Sequence, residues 1–381
     1  MKLIKDGDFN NKIVLTRCDF NVSLSEKGGI DDDFRVVKTL PTIEFLIKSG
    51  AAAVLMSHLE IGGKPASLRP VAKYLGNALG APVKFLDDCV GDKIMAEIKK
   101  AKPGQVLLLE NLRFHAEEKT NDPEFARQLA KMGDCYVNEA FSCSHRDHAS
   151  ISGVPRHLPA YAGILFQNEI ANLEKIVKKP RRPLTVVIGG VKVESKAKTI
   201  SNFIKVADHV LIGSKIGAQI LAHQRQLAGA QAVAPDPVVG AIDITSPKLH
   251  LPVDGVLALK DLSEGYSRAA AVGLMRQEED IFDIGPETSK FFAEIIAGSK
   301  TIFFNGPMGM FEKHDFAAGT KAVLEAIAAV DGAYRVAGGG QTLEAIRKFG
   351  VEKKFNFLST GGGAMLEFLA GNKLPGIQAL G

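Results

Sequence analysis

Short apolar runs alternate with longer amphipathic stretches along the whole chain. In the first half the apolar runs are Lys12–Thr16, Ala52–Met56, Val83–Phe85, Gln105–Leu109 and Asp134–Val137. Stretches with helical spacing lie between them, such as Val36–Ser49 and Leu68–Leu79. The second half repeats the pattern with Leu184–Ile188, His209–Ile212, Gly255–Ala258, Thr301–Phe304, Tyr334–Ala337 and Asn356–Ser359. Strands alternating with helices predict α/β architecture built on parallel sheets. Between the halves, Phe166–Lys179 (FQNEIANLEKIVKK) carries apolar residues at helical spacing, and Pro180 and Pro183 end it. A chain of 381 residues exceeds what one core usually serves. The expectation is two lobes, each a three-layer α/β domain, joined by a helix and facing a central cleft. Their limits are 1–165 and 180–373, with the helix at 166–179. One continuous sheet with an ordinary helix at that position is the alternative.

Composition narrows the class. Hydrophobic residues make up 46% and charged residues 24%, the proportions of a globular protein rather than a disordered or fibrous one. A net charge of +4, with no basic stripe interleaved with aromatics, speaks against a nucleic-acid partner. Cys18, Cys89, Cys135 and Cys143 form no C-x-x-C pair and no zinc-finger spacing, so they read as reduced and intracellular. The opening MKLIKDGDFNNK lacks a signal peptide's apolar core, and no apolar run approaches the roughly 20 residues of a membrane helix. A cytoplasmic protein without a membrane partner is expected.

In open parallel sheets ligands bind at the carboxyl ends of the strands, so the residues just after each strand are informative. The second half ends its strands in glycine: Gly189-Gly190, Asn305-Gly306-Pro307-Met308-Gly309, Gly338-Gly339-Gly340 and Gly361-Gly362-Gly363. The two triple-glycine runs lead into helical patterns. Glycine lets backbone amides approach an oxyanion, and helix N-termini favour phosphate. A single such turn is usually tight packing; four on one sheet favour phosphate. Lys192 and Lys196, four residues apart after Gly189-Gly190, would share one face of a helix start. A pair of solvated lysines is the alternative. The first half ends its strands in Thr16–Asn21, Ser57-His58, Glu110–His115 and Ser144–His148, and Arg35 opens a helix after Asp31–Asp33. Each is by itself a surface cation or a satisfied polar group. Together they suit a small ligand bearing carboxylate and phosphate. Amide nests on one lobe and arginines on the other suit phosphoryl transfer. The P-loop pattern G-x-x-x-x-G-K-[ST] is absent, and no G-x-G-x-x-G follows a strand. His145-Arg146-Asp147 mimics the protein-kinase triplet, but Ser152 stands where that motif needs asparagine.

The stretches TRCDFNVSL, LLLENLRFHAEEKTNDPEFARQLA, YVNEAFSCSHRDHAS, LPVDGV, DIGPET, FFNGPMGMFE, AGGGQT and STGGGAMLEFL, with an LPG close, resemble phosphoglycerate kinases over essentially the full length. The resemblance implies reversible phosphoryl transfer between ATP and 3-phosphoglycerate, giving 1,3-bisphosphoglycerate and ADP, with magnesium and as a monomer. By motif it implies that Asp19, Phe20, Asn21, Arg35, His58, Arg113 and Arg146 hold the phosphoglycerate, Arg35 also stabilising the phosphoryl group in flight. Lys192 and Lys196 would follow the transferring phosphate, and Gly362 with its neighbours would supply helix-terminal amides. Asn305, Glu312, Gly339, Gly340, Gln341 and Thr342 would line the nucleotide site. The tail 374–381 would return to the first domain.

Departures from the family pattern cluster at these loops. The usual G-G-G-D-T is Gly338-Gly339-Gly340-Gln341-Thr342, so a neutral amide stands at the magnesium-side carboxylate. Glu344 and Glu194 are candidate replacements. The usual S-H-L-G-R-P runs Ser57-His58-Leu59-Glu60-Ile61-Gly62-Gly63-Lys64-Pro65, gaining a glutamate and losing the arginine, whose charge Lys64 would replace without its bidentate geometry. The adenine-side glycines are Gly213-Ser214-Lys215-Ile216, and Ala218–Thr245 scarcely resembles the family. Three functions stay open: an active phosphoglycerate kinase, a binding or regulatory protein on the same fold, and a kinase for a different carboxylic acid.

Overall fold

In this computed structural model the described residues are 1–25, 28–228, 238–262 and 265–381. They divide into two compact units, Met1–Ala171 with Lys373–Gly381, and Asn172–Asn372.

The first unit runs β1 (Ile13–Arg17), α1 (Phe34–Lys48), β2 (Ala52–Met56), a hairpin of β3 (Glu60–Ile61) and β4 (Lys64–Pro65), α2 (Arg69–Leu79), β5 (Val83–Phe85), α3 (Asp92–Lys99), β6 (Val106–Leu108), α4 (Pro123–Ala130), β7 (Cys135–Asn138), β8 (Ala160–Ala162) and the start of α5 (Ile164–Val177). Its sheet has the order β5-β6-β2-β1-β7-β8, and every neighbouring pair is parallel. Continuous apolar strands need cover on both faces, and all five residues of β2 are buried. On one face α1 supplies Val36, Ile43 and Leu46 and α2 supplies Val71 and Leu75, which pack against Val14, Ala53 and Leu55. The chain proceeds from β1 to one side through β2, β5 and β6 and returns to the other at β7. That reversal makes the ends of β1 and β7 a topological switch point. The tail belongs to this unit: α12 (Pro375–Gln378) is tied down where the Gly376 amide donates to the Ser144 carbonyl at 2.9 Å.

The second unit contains β9 (Leu184–Ile188), α6 (Ala197–Val206), β10 (His209–Ile212), α7 (Ser214–Ala228), β11 (Leu249–His250), β12 (Asp254–Leu259), β13 (Ser267–Ala271), β14 (Glu279–Ile284), α8 (Pro286–Ala297), β15 (Thr301–Asn305), α9 (Ala318–Ala329), β16 (Tyr334–Gly338), α10 (Gly340–Lys348), β17 (Phe357–Ser359) and α11 (Gly362–Leu369). Its main sheet, β11-β10-β9-β15-β16-β17, is again wholly parallel and has its switch point between β9 and β15.

Expected strands recur close to their predicted positions, with two differences. Gly255–Ala258 is not part of the parallel sheet; it lies in β12, the centre of an antiparallel sheet β13-β12-β14. Its link to β13 spans only a handful of residues, too few for the crossover that a parallel pair needs. The expected helix 166–179 starts two residues earlier and ends at Val177, and the division between the units falls inside it. Of the poorly resembling segment Ala218–Thr245, residues 229–237 lie outside the described residues.

Candidate functional site

The carboxyl ends of β1, β2, β6 and β7 in the first unit bring together polar groups that the sequence scatters over more than a hundred positions. Asp19 follows β1 and anchors Arg35 from the first turn of α1: Nη1 donates to the carboxylate at 2.8 Å and to the Asn21 carbonyl at 3.2 Å. Ser142 Oγ donates to the same carboxylate at 2.5 Å, and the Asn21 amide at 3.1 Å. Burial alone would raise this carboxyl, but Arg35 and these hydrogen bonds outweigh it and hold it down at about 2. The Phe20 amide donates to Ser57 Oγ at 2.8 Å, which ties the β1 and β2 loops together.

His58 lies between two guanidinium groups, 3.3 Å from Arg17 Nη2 through Nδ1 and 3.3 Å from Arg146 Nη1 through Nε2. Burial, reinforced by Arg17, Arg113 and Arg146, pushes it well below the ordinary histidine range. A neutral imidazole accepts at one nitrogen only, so one of its two guanidinium neighbours is left without an acceptor there. Arg113 is buried, and its Nε has no hydrogen-bond partner among the described residues. The pocket is therefore short of acceptors, as a site for an anion should be.

Arg17, which the sequence placed among the polar residues after the first strand but not in the acid pocket, lies at the centre of this cluster. It is fully buried, its Nε donates to Ser150 Oγ at 2.7 Å, and Glu118 lies 4.0 Å from Nη2. Its only signal is an arginine ending an otherwise apolar strand. Ser142 and Glu118 were missed for the same reason: their partners are remote in sequence.

In the second unit the four glycine-bearing turns follow β9, β15, β16 and β17, which are consecutive neighbours in the sheet. They divide into two kinds. Gly189 and Gly306 interlock: a Cβ on Gly189 would lie 1.9 Å from the Pro307 carbonyl, so no other residue fits. By contrast, Gly340 and Gly362 begin α10 and α11, and a Cβ on either would meet nothing within 4 Å. The first pair is packing, and the second pair leaves amides open to a ligand.

Lys192 and Lys196 do not share a helix face. The backbone is extended at Lys192, a short 3-10 turn covers Val193–Ser195, and α6 begins only at Ala197. Gly190, at φ +130°, sends the chain out of β9 in this direction. Lys192 is exposed, whereas Lys196 folds back to donate to the carbonyls of Gly189 at 2.5 Å and Asn305 at 3.2 Å. Burial lowers the Lys196 ammonium to about 8. Asn305 Nδ2 donates to the Gly338 carbonyl at 2.5 Å, while its Oδ1 is buried without a partner among the described residues. Thr342 Oγ1 accepts from the Gly306 amide at 2.7 Å, linking the β15 and β16 turns across Gly339, the residue before α10.

Beside these turns lies a cavity of about 330 Å³ lined by Ser214, Lys215, Phe282, Met310, Glu312 and Gln341, among others. Lys215 forms an ion pair with Asp280 at 2.6 Å and sits 5.3 Å over the Phe282 ring. Sequence reasoning did not single out Phe282 or Asp280, because β14 belongs to the antiparallel sheet it did not anticipate. Gln341 and Glu344 are exposed on α10, and Glu194 is exposed on the 3-10 turn. The first turn of α10 holds no acid, and among the described residues no cluster of three or more ligating side chains occurs in this unit.

Two parallel α/β units with these strand ends place the chain among the phosphotransferases. The phosphoglycerate kinase pattern matches residues 4–372. The chain is 45% identical to the phosphoglycerate kinase of Moorella thermoacetica, over 99% of this chain and 98% of the relative, and 42% identical to that of Desulforapulum autotrophicum over the whole of both. Among solved structures it resembles phosphoglycerate kinase from Pyrococcus horikoshii (TM-score 0.86, 33% identity, 100% of this chain and 98% of that one) and from Coxiella burnetii (TM-score 0.84, 34% identity, 99% and 98%). The chain belongs to the phosphoglycerate kinase family.

Proposed function

We propose that this chain transfers a phosphoryl group reversibly between ATP and 3-phosphoglycerate, giving 1,3-bisphosphoglycerate and ADP. The observation that carries this reading is the pair of open helix N-termini, α10 and α11, following adjacent strands beside the Lys196–Asn305 contact. In this reading the acid binds the first unit through Asp19, Phe20, Asn21, His58, Arg113 and Arg146. Neutral His58 orients rather than attracts, and the guanidinium groups take the charge. Arg35 is held at one end by Asp19 yet remains about one-third exposed. It is therefore free to meet negative charge on the phosphoryl group as transfer proceeds. ATP or ADP binds the second unit through Lys192, Lys196, Asn305, Glu312, Gly339, Gly340, Gln341, Thr342 and Gly362. Transfer of this kind needs alignment and charge stabilisation more than a covalent nucleophile.

Magnesium, when bound, would neutralise phosphate charge. The position expected to supply its carboxylate is Gln341, and the residues around it offer no acidic cluster. The ion would therefore be held chiefly by nucleotide phosphates and water, without the one or two protein carboxylates usual for this cation. That same neutral position favours a second reading, a binding or regulatory protein on the kinase fold. A coupled assay with ATP, magnesium and 3-phosphoglycerate separates the two: turnover supports the kinase, and its absence in folded protein at saturating metal supports the other. In this reading the protein is a cytoplasmic monomer; its four cysteines are free and buried, as a reducing compartment would leave them.

A further inference from the structure

The β3–β4 hairpin inserts a carboxylate into the cation cluster of the first unit. Asn21 Oδ1 accepts from the Glu60 amide at 2.9 Å. Asn111 Nδ2 donates to the carbonyls of Leu59 and Ala66 at 2.6 and 2.7 Å, and the Ala66 amide closes the hairpin on Leu59 at 3.0 Å. These bonds fix where Glu60 leaves the backbone. Its carboxylate lies 3.7 Å from Arg113 Nη1 and 3.2 Å from Lys119 Nζ. The first distance is an ion pair without a hydrogen bond. Arg113 is thus neutralised but not held: its side chain is 4% exposed, and its Nε stays unpaired among the described residues. Burial, with Arg146 and Arg17 nearby, disfavours the Arg113 charge, and Glu60 opposes them. The hairpin's own cation, Lys64, is exposed, in register with Ile61 rather than with Glu60.

We infer that Glu60 is a specificity-determining residue: an internal anion that balances Arg113 in the free protein and competes with the anionic group of the incoming acid. This rests on the first unit being the acid site. A ligand anion approaching Arg113 must displace this carboxylate or share the guanidinium with it. The repulsion grows with ligand charge, so dianionic phosphate groups are held less tightly than the number of arginines suggests. Lys119 already donates a hydrogen bond to the same Glu60 oxygen at 3.2 Å, so the carboxylate keeps a partner when it leaves Arg113 and the exchange is reversible.

Calorimetric titration of 3-phosphoglycerate, and separately of inorganic phosphate, into the full-length protein and its Glu60→Gln variant tests this. The variant is expected to bind both anions about three- to tenfold more tightly, the scale of one neighbouring unit charge felt through water. Its KM for the acid should fall while that for the nucleotide stays constant. Glu60→Asp, which retains the charge, should bind as the wild type does. Equal or weaker binding by Glu60→Gln overturns the inference, because Glu60 would then only brace Arg113. Tightening by Glu60→Asp as large as that by Glu60→Gln overturns it too, as does failure of either anion to bind. Tighter binding by Glu60→Gln without turnover in any of the proteins would remove the proposed function and leave this inference standing.

Discussion

The two units prepare for negative charge by different means. The first uses long cationic side chains, three of them balanced by an internal carboxylate while they wait: Arg35 by Asp19, Arg17 by Glu118 and Arg113 by Glu60. The second uses backbone amides and lysines, and holds the lysine at its glycine turns, Lys196, on carbonyl oxygens instead of on acids. The contrast follows from desolvation. A buried guanidinium costs several kcal/mol unless it is paired, whereas an amide at a helix N-terminus carries only a partial charge and needs no counter-ion. Side-chain recognition therefore drags in a shell of acids that also tunes affinity, and backbone recognition depends on glycine and close packing.

Arg35→Ala tests the contrast most severely. If the cationic unit stabilises charge during transfer, the rate should fall on the order of a hundredfold or more, with a much smaller change in KM for the acid. Steady-state kinetics check this, and parallel losses in both constants would reduce Arg35 to a binding residue.

The lysine of the second unit comes next. Burial lowers Lys196 to about 8, whereas an unfolded lysine keeps its proton until about 10.4. Between these values the unfolded chain binds more protons, so this residue's contribution to stability rises with pH. Activity should do the opposite, with kcat/KM for the nucleotide falling above about pH 8 as the charge is lost. Lys196→Arg should shift that limb upward, and pH–rate profiles of the two proteins decide it. An alkaline limb unmoved by the substitution would assign the titration elsewhere.

Glycine substitutions separate the packed turns from the open ones. Gly189→Ala should destabilise the second unit by about 1–3 kcal/mol, as overpacking does, because the new methyl group meets the Pro307 carbonyl. Gly340→Ala meets no neighbour and should leave the melting temperature unchanged. Thermal unfolding of both variants compares them directly.

The mildest change belongs to the metal-side position. Gln341→Asp should raise turnover or lower the magnesium concentration for half-maximal rate by a few fold, one carboxylate being a usual protein contribution to this ion. An unchanged magnesium titration would show that the phosphates, or another acid, already suffice.

Much of this was legible along the chain. The apolar runs from Ala52 to Met56 and from Leu184 to Ile188 became strands at those positions, because a strand buried on both faces needs an unbroken apolar stretch. Glycine after β9, β15, β16 and β17 marked the strand ends as sites where backbone must come close. The illegible features depended on distant partners. β14 lacks a continuous apolar run, and β13 offers only small alanines at alternately exposed and half-buried positions, so neither reads as a buried strand. The shared face expected for Lys192 and Lys196 assumed a helix that starts too early; spacing of four residues has no meaning where the backbone is extended.

The layout was thus written into the chain: parallel α/β units, cations after the strands of one and glycine after the strands of the other. These are local properties, set by side-chain period and backbone freedom over a few residues. The facing of each charged group was settled only by folding. Packing set Arg17 against Glu118, brought Glu60 to Arg113 across fifty-odd positions, and turned Lys196 onto carbonyl oxygens. The reason is that a buried charge must be balanced by whatever the fold brings within a few ångströms, and sheet order, not sequence distance, sets that neighbourhood.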